Sequence, residues 1–321
     1  MQNNRNLHVN FSLIARELGI SVMTIYRVIN NAPHVSGKMR AAVIKRLNAY
    51  GFFSRSNPVE RRILFDFSDH PYLFWLGKRL QALFPNTAES NHRKNAMNFF
   101  NAASLADTVV FCSHPSNAVI RRVKEENPEL YTVTLTTESC ADVTITPDNK
   151  LGGELAARHL HRHGHRHIAV HLAEEHPTRM ERYKSFRGEL AILNPDCRID
   201  EIHQKNGACF HQIINDYFLA GNHPTAICFL TGGFGQKFWE EFCVPEKPFC
   251  RNLSIMSYDR PDSIIPPGNG VHPLDRIEFD PQNLLDWAEY YILHPPMMPN
   301  RSPIHTCIRT TLQVCGSVKS V

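Results

Sequence analysis

The stretch from Asn10 to Gly51, NFSLIARELGISVMTIYRVINNAPHVSGKMRAAVIKRLNAYG, constrains this chain more than any other. Its punctuation alone divides it into three short helices. Asn10 is a capping residue type ahead of a helix over about 11–18, and Gly19 ends that helix. Ser21 caps a second helix over about 22–30, and Ser36 caps a third that stops at Gly51. In the third, Met39, Val43 and Leu47 recur every four residues and Tyr50 follows three later, so one face is apolar. Ile14, Leu18, Ile20, Ile25, Val28 and Ile29 supply the facing surfaces. Three such helices close a very small core. The tight turn between the first two predicts a helix-turn-helix, whose second helix lies in a DNA major groove with its first residues at the base edges.

Charge supports that partner. Residues 1–62 hold ten Lys or Arg against two acids, Glu17 and Glu60, an excess of +8. The whole chain carries +4, so the remainder sits near −4. A basic helical unit on a near-neutral body is the electrostatic footprint of a polyanion binder.

The run IARELGISVMTIYRVINNAPHVSGKMRAAV resembles the DNA-binding segment of the LacI/GalR family of bacterial transcription regulators, whose pattern is VA..AGVS..TVSRVLN....VS...R..V. The resemblance implies base contacts by Val22, Met23 and Arg27. It implies phosphate anchoring or helix capping by Asn10, Ser21, Thr24, Asn30, His34 and Ser36. Arg27 suits a guanine edge, which accepts two hydrogen bonds, whereas Val22 and Met23 offer only apolar contact, best matched to a thymine methyl. For Val22 and Met23 a place in the core is the competing reading; for Thr24, Asn30 and Ser36 it is pure capping.

Residues 52–62, FFSRSNPVERR, form the linker. Relatives carry here a short hinge helix whose leucine wedges the minor groove. This linker is shorter, lacks an Ala-x-x-Leu run and contains Pro58. Its Arg55, Arg61 and Arg62 are expected at phosphates, and DNA affinity is expected to depend strongly on salt.

From residue 63 onward, apolar strands alternate with amphipathic helices, which predicts parallel sheets covered on both faces. Strands are expected at about 61–68, 107–113, 130–135, 143–146, 168–172, 224–230 and 253–259, with helices over about 72–84, 116–127 and 150–163. The span from 85 to 106 is shorter than in the family, so the first lobe reads as trimmed. Residues 147–190 again resemble the family, through D...GG..A..HL...GHR.IA. The resemblance implies a two-lobed α/β body like that of periplasmic binding proteins, with a small effector held between the lobes. On that basis Arg182, Thr231 and Asp259 are the effector-binding candidates. Thr231 and Gly232 replace the family's Asn-Asp pair, which argues against its usual sugar ligand. An ion pair, at the surface or between lobes, is the competing reading for Arg182; for Asp259 it is a pair with Arg260.

Other chemistry is excluded on the residues. The run His159, His161, His163, His165, His167 suggests a metal, but helical spacing sends His161 away from His159 and His163, and Gly164 breaks the helix. Nine dispersed cysteines without a CxxC pair fit reduced thiols. GGFG at 232–235 lacks the Lys and spacing of a phosphate loop and reads as a turn. Trp75, Trp239 and Trp287 are expected in the core. There is no nucleophile elbow and no usable carboxylate pair.

The chain is thus expected to have a helix-turn-helix head (1–51), a linker (52–62) and a two-lobed α/β body (63–321). It reads as a cytoplasmic, dimeric, sequence-specific regulator of LacI/GalR type, a repressor gated by a sugar-like metabolite. It needs no cofactor or metal, has double-stranded operator DNA as partner and has no membrane segment. The alternatives are a regulator whose body takes an atypical effector or none, and a small-molecule binder without DNA activity.

Overall fold

Gly19 decides the first turn. The structure, a computed structural model, describes residues 11–29, 35, 36, 39, 42, 43, 46, 47, 61–84, 87–173, 176–204, 207–231, 233–244, 246–259, 274–295 and 303–321. Helix α1 spans Phe11–Leu18 and α2 spans Val22–Ile29. At φ +63°, Gly19 takes the left-handed conformation that costs a residue with a Cβ. Its N–H reaches Arg16 O at 3.3 Å, and the Ile20 N–H reaches Ala15 O at 2.9 Å, so the last carbonyls of α1 are satisfied as the chain reverses. Ser21 then starts α2 by accepting the Thr24 N–H on Oγ at 3.1 Å. Ser36 accepts the Met39 N–H at 3.3 Å, and residues 39, 42, 43, 46 and 47 are helical. Ile14, Ala15, Ile25, Val28, Val43 and Leu47 form the buried core of this unit. Glu17 and Arg46 clasp it from outside at 2.7 Å.

The chain divides into two units, residues 1–61 and 62–321. The second holds two six-stranded sheets. Its elements are β1 (Ile63–Phe67), α3 (Pro71–Gln81), β2 (Thr87–Ser90), α4 (Ala96–Leu105), β3 (Thr108–Cys112), α5 (Asn117–Glu126), β4 (Tyr131–Leu135), β5 (Val143–Pro147) and α6 (Asn149–Arg162). There follow β6 (His167–Leu172), α7 (Pro177–Leu193), β7 (Arg198–His203), α8 (Phe210–Leu219), β8 (Ala226–Phe229), α9 (Phe234–Phe238), β9 (Ser254–Tyr258), β10 (Asp275–Phe279), α10 (Pro281–Leu293), β11 (Ile304–Ile308) and β12 (Thr310–Gln313).

The first lobe has strand order β11-β5-β4-β3-β1-β2, all parallel. The second has β12-β10-β9-β8-β6-β7, parallel except for the β10–β12 pair. Strands β1, β3, β4 and β5 are buried at every position, as expected for a sheet covered on both faces. The span that reads as trimmed keeps a strand and a helix, of only four and ten residues. The GGFG run is more than a turn: Gly233 turns at φ +83°, and Phe234 and Gly235 already belong to α9.

The lobes are joined by three short passages. They leave β5 at Pro147, β10 at Phe279 and β11 at Ile308. Two are tied together, since Asp148 N donates to Ile308 O (2.8 Å) and Thr310 Oγ1 donates to Asp148 O (3.0 Å). Because all three passages leave from the C-terminal ends of strands, those ends of both sheets border the crevice between the lobes. Open α/β sheets bind ligands at that end.

Candidate functional site

In the head, Ser21 and Thr24 spend their hydroxyls on each other at 2.9 Å while capping α2. Val22 is half-buried against the head core, which is the inward reading of that position. Met23 is 60% exposed and Arg27 is exposed; four residues apart, they share one outer face of α2. Phe11 packs edge-on against Tyr26 at 5.4 Å, fixing α2 on α1. Ser36 serves as a cap. Asn10, Asn30, His34 and linker residues 52–60 lie outside the described residues. Arg62 is held by the body rather than presented as a linker cation: its guanidinium and N–H bind Asp107 at 2.9–3.3 Å.

In the crevice, Arg182 of α7 is buried. Its Nε donates to Asn149 Oδ1 (2.9 Å), and Nη1 donates to Leu230 O and Asp259 Oδ2 (both 3.1 Å). Nη2 reaches Asp259 Oδ1 at 3.4 Å, and the guanidinium lies over the Tyr258 ring, 4.3 Å from its centroid. Arg182 and Asp259 are therefore brought together as an ion pair inside the second lobe. Thr231 follows β8, and its hydroxyl is buried without a partner among the described residues, as are those of Tyr72, Thr136 and Tyr258. Asp259 (φ +60°) and Thr136 (φ +69°) are left-handed non-glycine residues at the ends of β9 and β4. Such strain clusters at binding sites, where surrounding contacts hold it. A cavity of about 560 Å³, lined by neither Arg182 nor Asp259, is bordered by Glu138, Thr146 and His305 of the first lobe and by Glu181 and Lys184 of α7. Asn149 connects the two features, accepting from Arg182 and donating to Glu181 at 3.2 Å.

Sequence reading missed the residues around this pair: His70, Tyr72, Arg93, His114 and His176. Each sits just beyond a strand or at a helix start, so the only available signal was position after a buried run. Burial, aided by Arg179, lowers the His70 pKa, while Asp259 pulls it up. Burial raises the Tyr72 hydroxyl, with Asp259 adding to the effect.

Each histidine of the run has a hydrogen-bond partner of its own. His159 meets Asp275 (2.7 Å), His163 meets His159 O (2.9 Å), His165 meets Thr225 (2.9 Å), His167 meets Asp200 (2.7 Å), and His161 meets Arg166 (3.3 Å). No set of three or more ligands suited to a metal occurs among the described residues. Asp66, His92 and Ser113 converge in the first lobe, but Ser113 Oγ donates to Asp66 at 2.5 Å, not to the imidazole, so the three do not form a Ser–His–Asp relay. The cysteines are free. Trp75 and Trp239 pack against the cores, but Trp287 is 40% exposed and stacks on Tyr291, so it is not the core residue expected. No described helix is long and apolar enough to cross a membrane.

No family model and no curated protein matches the chain in sequence. Solved structures match it in fold. The lac repressor dimer bound to operator and the anti-inducer ONPF aligns with TM-score 0.64 at 16% identity, over 97% of this chain and 99% of that one. A LacI family regulator from Enterococcus faecalis with bound ribose aligns with TM-score 0.63 at 17% identity, over 81% of this chain and 100% of that one. The transcriptional regulator CelR in complex with cellobiose aligns with TM-score 0.60 at 14% identity, over 95% and 98%. Over nearly its whole length, this chain has the fold of the LacI/GalR-type transcriptional regulators.

Proposed function

We propose that the protein is a sequence-specific DNA-binding transcription regulator, a repressor in the cytoplasm whose operator affinity is gated by a small metabolite. Residues 1–51 act as the helix-turn-helix head, 52–62 as linker and 63–321 as the ligand-responsive, dimerising body. The observation that carries this reading is the Gly19–Ser21 turn, which sets α2 on α1 and leaves Met23 and Arg27 on an exposed face, in a segment with an excess charge of +8. Met23 and Arg27 meet base edges. Val22 contributes at most an edge contact, because it is half-buried. Ser21, Thr24 and Ser36 order the helix starts next to phosphates, with Asn10, Asn30 and His34 as further anchors. Two copies place two α2 helices in successive major grooves of a near-palindromic site, as a two-fold dimer requires.

The lac repressor, CelR and ribose-bound relatives carry operator or sugar ligands, which supports a ligand between the lobes here. Arg182, Thr231 and Asp259 line that site. A ligand shifts the body only through its different affinity for two states, and the three short passages between lobes give the body a hinge. Asp259 is held by Arg182 through both oxygens and keeps lone pairs free, so any ligand at this carboxylate meets the ion pair rather than a lone acid. A small-molecule binder without DNA activity would leave the basic head without a role.

The test is selection of genomic fragments by the purified protein, followed by titration of the best fragment against sugars, sugar phosphates and nucleosides. A near-palindromic site whose occupancy changes with one compound is the expected result. A specific site that no compound alters would leave the head reading standing and remove the gating. The absence of any specific site would sink the regulator reading.

A further inference from the structure

At the end of the second sheet away from the crevice, two cysteines meet. Cys243 closes the π-helical turn that follows α9 (Trp239–Cys243), and Cys250 closes a 3-10 turn (Pro248–Cys250) just before β9. The chain between them folds back on itself. Glu246 N donates to Cys243 O and Lys247 N to Phe242 O, both at 3.0 Å, and Cys250 N donates to Lys247 O at 2.9 Å. Glu246 takes the reversal at φ +56°. The rings preceding the two cysteines pack on each other: Phe242 and Phe249 have centroids 5.7 Å apart, and Phe249 also stacks on Phe218 at 4.1 Å. Both thiols lie half-buried against the same apolar cluster, and the Cys250 side chain is hydrogen-bonded to that of Cys243.

The other cysteines are not arranged in this way. Cys112 and Cys228 are fully buried, and Cys209, Cys307 and Cys315 are exposed singly; none is hydrogen-bonded to a second thiol among the described residues. The hydrogen bond to Cys243, burial and charge on the Cys243 sulfur together raise the Cys250 pKa. Cys250 therefore keeps its proton and donates it, which leaves Cys243 as the attacking sulfur. In a reducing compartment such a pair stays as two thiols until an oxidant arrives, and disulfides formed there are transient and redox-sensing.

We propose that Cys243 and Cys250 are a modification site, a dithiol that a peroxide closes into an intrachain disulfide. The Cys243 thiolate attacks one peroxide oxygen. The O–O bond breaks, hydroxide leaves, and the proton given up by Cys243 turns it into water. Cys250 then resolves the sulfenic acid: the S–S bond forms, the S–O bond breaks, and the hydroxyl leaves as water with the Cys250 proton. Two thiols lose two electrons and one hydrogen peroxide gains them, giving one disulfide and two waters. The new bond adds a covalent tie between the π-helical and 3-10 turns, across the reversal at Glu246. The site is independent of the ligand-gated reading of the body, since Cys250 precedes β9 whereas Asp259 follows its other end.

The test is oxidation of the full, reduced chain by hydrogen peroxide, alkylation of the remaining thiols, and peptide mapping without reduction. Cleavage after Glu246 puts the two cysteines on separate peptides, so their linkage appears as one joined species lighter by two hydrogens. At micromolar protein this linkage is expected to exceed every intermolecular one by about tenfold or more, because a thiol tethered this closely has an effective concentration of millimolar or higher. In Cys250→Ser, peroxide should leave Cys243 as a sulfenic acid that dimedone labels. In Cys243→Ser, Cys250 should take no label. Hydrogen exchange at Glu246 and Lys247 should slow when the wild type is oxidised and recover with dithiothreitol. The thermal midpoint controls for folding of the variants, and the wild-type map needs neither of them. Two results overturn the proposal: both cysteines recovered as alkylated thiols while other cysteines are oxidised, and a bond from either one to a different partner. Label on Cys250 in Cys243→Ser, with none on Cys243 in Cys250→Ser, refutes the order of attack and leaves the pair standing.

Discussion

Asp275, the first residue of β10, is fully buried yet charged, and replacing it by Asn tests how the second lobe is locked. Its Oδ1 accepts the N–H groups of Cys315, Gly316 and Ser317 at 2.7, 2.6 and 3.0 Å, and its Oδ2 meets His159 Nε2 at 2.7 Å. One carboxylate thus ties the C-terminal segment and α6 to the sheet. Burial alone would raise its pKa, but the His159 bond and the three backbone N–H groups outweigh burial and hold it at about 2, against an ordinary 3.8. A carboxyl depressed in the folded state stabilises above its unfolded pKa and loses that contribution as pH falls through the folded one. The gap between the two values corresponds to about 2 kcal/mol. Asp275→Asn keeps the shape and drops the charge. Urea unfolding at pH 7 should therefore show the variant about 2 kcal/mol less stable, with the difference shrinking below about pH 4 and gone near pH 2. Hydrogen exchange at residues 315–317 should speed up in parallel. A difference that stays constant over the whole pH range, or wild-type exchange at those three amides, would refute the assignment.

Arg27→Ala should cost about 1–3 kcal/mol of operator binding and relax one base position, read from binding to single-base operator variants. Equal affinity for the best operator would remove Arg27 as a base reader. Arg182→Ala should abolish the response to any effector that is found, since it also leaves Asp259 and the Leu230 carbonyl without their donor; an intact response moves the site elsewhere. Gly153→Ala would place its Cβ 2.4 Å from Arg182 O and 2.8 Å from Phe186 N, both backbone atoms of α7. It should lower stability by about 1–3 kcal/mol, the usual range for overpacking, and an unchanged thermal midpoint would mean that α6 and α7 do not pack this closely.

Much of the fold is legible because its determinants are local. Among the described residues of the head, Ser21, Ser36 and Gly19 each make the contact their residue type predicts, while Asn10 and Gly51 lie outside them. The buried strands are legible as β-branched and apolar runs such as TVVFC and VTITP. The Gly152–Gly153 pair of the family-like pattern, by contrast, has a cause that only packing reveals. A side chain at Gly152 would meet Tyr258 Oη at 2.2 Å, and one at Gly153 would meet α7.

Partnership is what the sequence could not state. The histidine run looks like one feature, yet its five members find five different partners, from His159 O within the same turn to Asp275 more than a hundred residues away. Arg182 and Asp259 were each placed at the site by pattern. That they neutralise one another depends on how α7 and the end of β9 meet, 77 residues apart in the chain. The sequence by itself determined helix starts and stops, strand runs, the basic head and the α/β alternation, because these follow from each residue's own backbone preferences and from periodicity over a few neighbours. Only the tertiary structure decided which basic side chains meet. His70, Arg93, His114 and His176 lie on four separate segments, and nothing short of closing both sheets and their passages brings those side chains to one place.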